Sequence, residues 1–288
     1  MPAFDHVYLI MMENESQSAI QGSAQAPYIN SLLGKYAYTT QYSTSIHPSL
    51  PNYLEITSGS TGGVGCDCQP TGTTMCSALN CNLLLSSCNC HQAAMHLGDQ
   101  LDSAMVQWRE YGQSMGTPCN GTSAAPYATK HIPFLYYDDV FTNSSRCAQR
   151  VVDYASFGND LAAGTYRFSM ISPNLCDDMH GDASCPGSPP EITQGDTWLS
   201  TEVPKILATP GFATGGKDVL FIVWDEQTGS TGGSNIPMLL IVISPLAKAG
   251  ASMTAYTHDS LLATFEDAFG VARLGNAAMA TPIHDMWQ

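Results

Sequence analysis

The stretch His6-Val7-Tyr8-Leu9-Ile10-Met11-Met12-Glu13-Asn14 is apolar from Val7 to Met12 and turns polar at Glu13 and Asn14. A strand with one wet face alternates apolar and polar side chains. An unbroken apolar run of strand length is what burial on both faces requires. The pattern recurs twice: Phe168-Ser169-Met170-Ile171 leads into Ser172-Pro173-Asn174, and Val219-Leu220-Phe221-Ile222-Val223-Trp224 leads into Asp225-Glu226. Around these runs, helical spacing is read at 26–36, 93–105, 151–161, 198–207 and 258–269, and further strands at 38–42, 105–111 and 236–244. Strands alternating with helices predict an α/β fold whose mainly parallel sheet is covered on both faces. Ligands of such sheets bind beyond the carboxyl ends of the strands, which is where Glu13, Asn14, Asn174, Asp225 and Glu226 fall.

Composition narrows the function. The 288 residues are 44% hydrophobic and 12% charged, which suits one large domain over residues 1–288. No apolar run approaches the roughly 18 residues of a membrane span, so stable membrane insertion is not expected. The chain starts almost at its first strand with no basic leader, so any export signal is expected to be already removed. A net charge of −15 disfavours nucleic acid, which needs a basic footprint. With only ten Lys and Arg, a phosphate-bearing substrate would draw its positive charge most naturally from a bound cation. Protonating all eight histidines would move the charge from −15 to −7, in keeping with an acidic optimum.

Ten cysteines, six of them between 66 and 90, predict a disulfide-stapled insertion at about 60–92 and a secreted or periplasmic location. Cys66-x-Cys68 and Cys88-x-Cys90 lack the C-x₂-C spacing of common zinc sites. The sequence leaves the pairing open.

Glu13, Asn14, Asp225 and Glu226 at one sheet edge form a hard oxygen set suited to a divalent cation. Each pair read alone is an ordinary solvated turn, and it is the duplication that points to a site. Ser49 lies just ahead of Pro51, which fits the first turn of a helix, so its hydroxyl faces the positive end of that helix. It is the candidate nucleophile, although an N-cap serine looks the same. His180 is placed to protonate a leaving alcohol, Asn174 to donate to phosphate, and Asp178 to bind metal or orient a histidine. His258 opens a helix, and Lys130 and His131 offer cationic contacts for phosphate.

Six ordered motifs then carry a resemblance. Met12-Glu13-Asn14-Glu15-Ser16, His47-Pro48-Ser49-Leu50-Pro51-Asn52-Tyr53-Leu54, Lys130-His131-Ile132-Pro133, Pro173-Asn174 through Asp178-Met179-His180, Trp224-Asp225-Glu226 and His258-Asp259-Ser260-Leu261-Leu262 resemble those of the bacterial and fungal phosphoesterase family. That family contains secreted acid phosphatases and phospholipases C and belongs to the alkaline phosphatase superfamily. The resemblance implies a three-layer α/β/α sandwich, a metal held by Glu13, Asn14, Asp225 and Glu226, and Ser49 as nucleophile. Asn174, Asp178 and His258 fall where the superfamily builds a second metal site. Asn174 replaces an aspartate there, so one ion is expected, drawn from Mg²⁺, Ca²⁺, Mn²⁺ or Zn²⁺. The insertion at 60–92 departs from the family pattern. The expected activity is hydrolysis of a small phosphomonoester or phosphoinositide through a phosphoserine. A phosphodiesterase or phospholipase C on the same scaffold, and a non-catalytic extracellular binding protein, are the alternatives.

Overall fold

The computed structural model describes residues 1–70, 74–75, 88–187, 189–228 and 236–288. Its centre is an eight-stranded sheet of order β10-β2-β9-β8-β1-β7-β5-β6. These strands are β1 (Val7–Met12), β2 (Ala37–Tyr42), β5 (Trp108–Gly112), β6 (Val151–Asp153), β7 (Phe168–Ser172), β8 (Val219–Trp224), β9 (Met238–Ile243) and β10 (Gly250–Ser252). A separate two-stranded pair joins β3 (Thr74–Met75) to β4 (Cys88–Asn89). β1 pairs in parallel with both β7 and β8, and every residue of β1, β7 and β8 is buried. That burial is the physical content of the three apolar runs. β9 is antiparallel to its neighbours β8 and β2.

Alternation along β1 sorts the layers. Tyr8 meets Phe157 and Phe212 on one face, where the Pro27–Leu33 and Glu191–Leu207 helices also pack together. On the other face Phe168 and Phe221 both meet Phe265 of the His258–Phe269 helix at 5.4 Å, and that helix packs on Ser49–Ser58. The result is the three-layer α/β/α sandwich with a mainly parallel sheet that the sequence predicts.

Three local expectations need correction. The helix read at 151–161 begins as strand β6, and its helical part is Phe157–Ala163. Val151 and Val152 are β-branched and pair beside β5, so tertiary pairing overrides the helical spacing. The irregular stretch after Pro118 contains short helices at Asp138–Phe141 and Ser144–Arg150. Ser49 is not the residue ahead of its helix but the first residue within it, with Pro48 at the cap.

Disulfides Cys68–Cys90, Cys119–Cys147 and Cys176–Cys185 are present. No cysteine among the described residues is free. Cys76 and Cys81 of the insertion lie outside the described residues.

Candidate active site

Register builds the site. Met12 of β1 lies opposite Trp224 of β8, so Glu13 and Asp225 leave the same sheet edge side by side. The Asn14 amide donates to Asp225 Oδ1 at 3.2 Å, and the Glu13 amide donates to the Asp178 carbonyl at 2.8 Å. Asn14 has φ 40° and Met179 φ 83°, left-handed backbone that costs a non-glycine residue of order 1 kcal/mol or more. Both outliers sit in loops that deliver side chains to this edge.

Ser49, only 1% exposed, donates from Oγ to Glu13 Oε2 at 3.0 Å. Tyr53, one helical turn on, donates to Glu13 Oε1 at 2.5 Å. His131 lies against the Tyr53 ring, with centroids 5.2 Å apart and planes 9° from parallel. Its Nε2 is 3.1 Å from Glu13 Oε1 and its Nδ1 is 3.2 Å from Asp178 Oδ2. Lys130 donates to Asp67 Oδ2 at 3.0 Å and to His180 Nε2 at 3.1 Å.

Burial sets the charges. Glu13 and Asp178 are pushed well above the usual carboxyl range by desolvation, with Asp225 adding repulsion to each. Desolvation also raises Asp225, to about 6. His131 is driven well down by burial, then by Lys130 and His180, so its ring is neutral and has one N–H to offer two carboxyls. Burial works against the Lys130 ammonium, but Asp67 and Glu13 outweigh it and its pKa rises.

The predicted site residues divide into two groups. Ser49, Glu13, Asn14, Asp225, Asp178 and His131 converge, and Lys130 and His180 stand beside them. Three others, Asn174, His258 and Glu226, are engaged elsewhere, and His180 differs from its expected role. The Asn174 amide donates to Ser114 Oγ and its Oδ1 accepts from Cys176 N, so the side chain organises its own loop. His258 Nε2 donates to the Asp225 carbonyl at 2.6 Å while Nδ1 accepts from the Tyr42 hydroxyl at 2.7 Å. With both nitrogens spent on protein partners, His258 fixes the Asp225 backbone and leaves nothing for a second metal. Glu226 Oε2 accepts from Asn52 Nδ2 at 3.2 Å and lies 2.8 Å from His47 Nδ1, which turns it toward the Ser49–Ser58 helix. Burial lowers His47 and raises Glu226 to about 9, so a single proton holds that contact. His180 donates from Nδ1 to Gly181 O and accepts at Nε2 from Lys130; burial and Lys130 lower its pKa, so it reaches an alcohol only together with that lysine.

Sequence reasoning passed over Asn52, Tyr53, His47 and Asp67. Asn52 and Tyr53 follow Ser49 by three and four residues, a spacing that puts them on its face of the helix. That signal was legible. Asp67 carried no local signal.

The donor set fits a divalent cation. Asn14 Oδ1, Asp178 Oδ2 and Asp225 Oδ2 are buried oxygens with no hydrogen-bond partner, and Glu13 stands among them. Buried acceptors without donors are costly, and a cation held at this edge would satisfy them.

Fold and site define the class: this is an alkaline phosphatase-type sandwich. A protein in the alkaline phosphatase superfamily from Vibrio parahaemolyticus superposes with TM-score 0.60 at 12% identity, over 96% of this chain and 70% of that one. The PsFucS1 sulfatase from Pseudoalteromonas gives the same TM-score, 0.60, at 12% identity over 93% and 68%. More particularly, residues 22–272 match the Phosphoesterase family, and the chain belongs to it. As a member it is a phosphoric ester hydrolase. It is 30% identical to the phosphatidylinositol-3-phosphatase of Mycobacterium tuberculosis, over 100% of this chain and 84% of that protein. The acid phosphatase of Aspergillus fumigatus is 25% identical over 95% of this chain, which spans 56% of that relative's length.

Proposed function

We propose that this chain is a secreted or periplasmic, metal-dependent acid phosphatase that hydrolyses phosphomonoesters through a phosphoserine at Ser49. The observation that carries the reading is the buried Ser49 hydroxyl at the head of its helix, donating to Glu13 within a cluster of unsatisfied acidic oxygens. Asn14, Asp178, Asp225 and Glu13 would hold one divalent cation. When bound, it supplies Lewis-acid polarisation and charge neutralisation at the phosphoryl oxygens. Glu13 Oε2, which already accepts from the Ser49 hydroxyl, takes its proton as Oγ bonds to phosphorus and the ester P–O bond breaks. The Lys130–His180 pair protonates the departing alcohol. Water, passing a proton back to the Lys130–His180 pair, then attacks phosphorus as the Ser49 Oγ–P bond breaks; phosphate leaves, and Glu13 returns the proton to Oγ. Similarity to a phosphatidylinositol-3-phosphatase supports an inositol-bound monoester among the substrates to be screened. The disulfides support an oxidising compartment.

Ser49→Ala is the direct test. Its turnover of p-nitrophenyl phosphate is expected to fall by about a thousand-fold or more, while the missing donor to Glu13 lowers stability by no more than about 1–2 kcal/mol. Near-normal turnover would end the nucleophile assignment.

A further inference from the structure

The helix that begins at Ser49 already holds an anion. Asp67 Oδ1 accepts from the Leu50 amide at 3.0 Å, and Asp67 Oδ2 accepts from the Lys130 ammonium at 3.0 Å. One carboxylate thus spans a free amide of the helix N-terminus and the cation beside the candidate nucleophile, the two groups here best suited to phosphoryl oxygens. Its charge also reaches the site's acids, since Asp67 helps to raise Glu226.

The position is fixed from both sides. Asp67 sits between Cys66 and Cys68, both buried, and Cys68 is bonded to Cys90. The Tyr136 hydroxyl donates to the Cys68 carbonyl at 2.6 Å, and Thr129 Oγ1 donates to Gln69 Oε1 at 3.1 Å. The Asp67 side chain itself remains 26% exposed, so it has an outward path while its backbone stays pinned.

Resting on the reading of Ser49 given above, we infer that Asp67 is a built-in surrogate for the substrate's phosphoryl group, holding the Leu50 amide and Lys130 until substrate displaces it. A substrate must displace it to reach the Leu50 amide and Lys130. The cost of freeing those two groups falls equally on every phosphate ester, and the displaced carboxylate then repels the anion that has entered. The stapled insertion therefore presents an anion that competes with the substrate's phosphoryl group for its binding groups.

Inorganic phosphate binding, measured by titration calorimetry at about pH 7.5 where phosphate is largely dianionic, reads displacement without chemistry. Asp67→Ala is expected to bind phosphate about ten-fold tighter, a gain on the scale of one charge-assisted hydrogen bond. Asp67→Asn, which keeps the volume and an acceptor for Leu50, should lie between Asp67→Ala and the unaltered protein. In parallel, KM for p-nitrophenyl phosphate should fall several-fold in Asp67→Ala, with kcat changing less. Unchanged or weaker phosphate binding in Asp67→Ala would overturn the inference and make Asp67 a support for Lys130 instead. An unchanged or raised KM for p-nitrophenyl phosphate in Asp67→Ala would overturn it as well. Ser49→Ala with normal turnover would sink the nucleophile, a result distinguishable from either.

Discussion

Tyr53 and His258 act on the acidic cluster through hydrogen bonds to its members. Removing the Tyr53 hydroxyl with Tyr53→Phe leaves buried Glu13 one donor short. The expected result is a loss of about 1–2 kcal/mol in denaturant titration and a clear drop in kcat, with His131 still stacked on the ring. His258→Phe leaves the Asp225 carbonyl and the Tyr42 hydroxyl without partners. A loss of about 3 kcal/mol is expected, and a wild-type melting curve would remove His258 from its bracing role. The cluster also predicts how cation removal shows itself. Glu13 and Asp178 are raised well above the usual carboxyl range and Asp225 to about 6. A raised carboxyl favours the folded state while it holds its proton. That contribution is full below the unfolded carboxyl pKa of about 4 and is lost as pH rises through the folded value. Chelator-treated protein should therefore melt at progressively lower temperature as pH rises from about 4 through about 6 and beyond. Added divalent cation should remove most of that slope, because binding displaces the protons. A slope indifferent to metal would argue against the cation site.

Between elements, a second acid pair joins the Ser49–Ser58 helix to the His258–Phe269 helix. Glu55 and Asp259 share a hydrogen bond, and burial raises Glu55 to about 8 and Asp259 to about 6. Both shifts are upward, so the pair contributes most below about pH 4 and loses its contribution as pH passes about 6 and then about 8. Glu55→Gln should flatten the melting temperature of metal-loaded protein across that interval, and an unaltered profile would contradict it. The elements also show what the sequence could and could not disclose. Val7–Met12 and Val219–Trp224 were readable as central strands because burial on both faces leaves no room for polar alternation. Met238–Ile243 read equally well as a strand, but an apolar run has no direction, so its antiparallel course was hidden. Val151–Asp153 is too short to outweigh the helical spacing that follows it. In the site, Glu13, Asn14 and Asp225 were legible as the polar ends of apolar runs. Asp67 was not, because only a 17-residue return of the chain brings it to Leu50. His258 was legible in its place, but not in its task, since its partners come from the ends of β2 and β8.

For the molecule as a whole, a net charge of −15 opposes an anionic substrate at long range. Raising salt from about 10 mM to about 150 mM shortens the reach of that repulsion from about 30 Å to about 8 Å. The kcat/KM for p-nitrophenyl phosphate should accordingly rise with salt at low ionic strength, and a fall would show that local attraction at Lys130 dominates the approach. The link from Tyr42 through His258 to Asp225 has a mechanical consequence on this scale. Strands β2 and β8 are two ladder spacings apart, about 10 Å, with the oppositely running β9 between them. An imidazole pinned at both ends works as a cross-brace over that gap, holding the gauge of the candidate site's rim independently of the β9 ladder. The acidic oxygens beyond β1 and β8 thereby keep their spacing through a side chain, not through the hydrogen bonds of the strand that separates Tyr42 from Asp225.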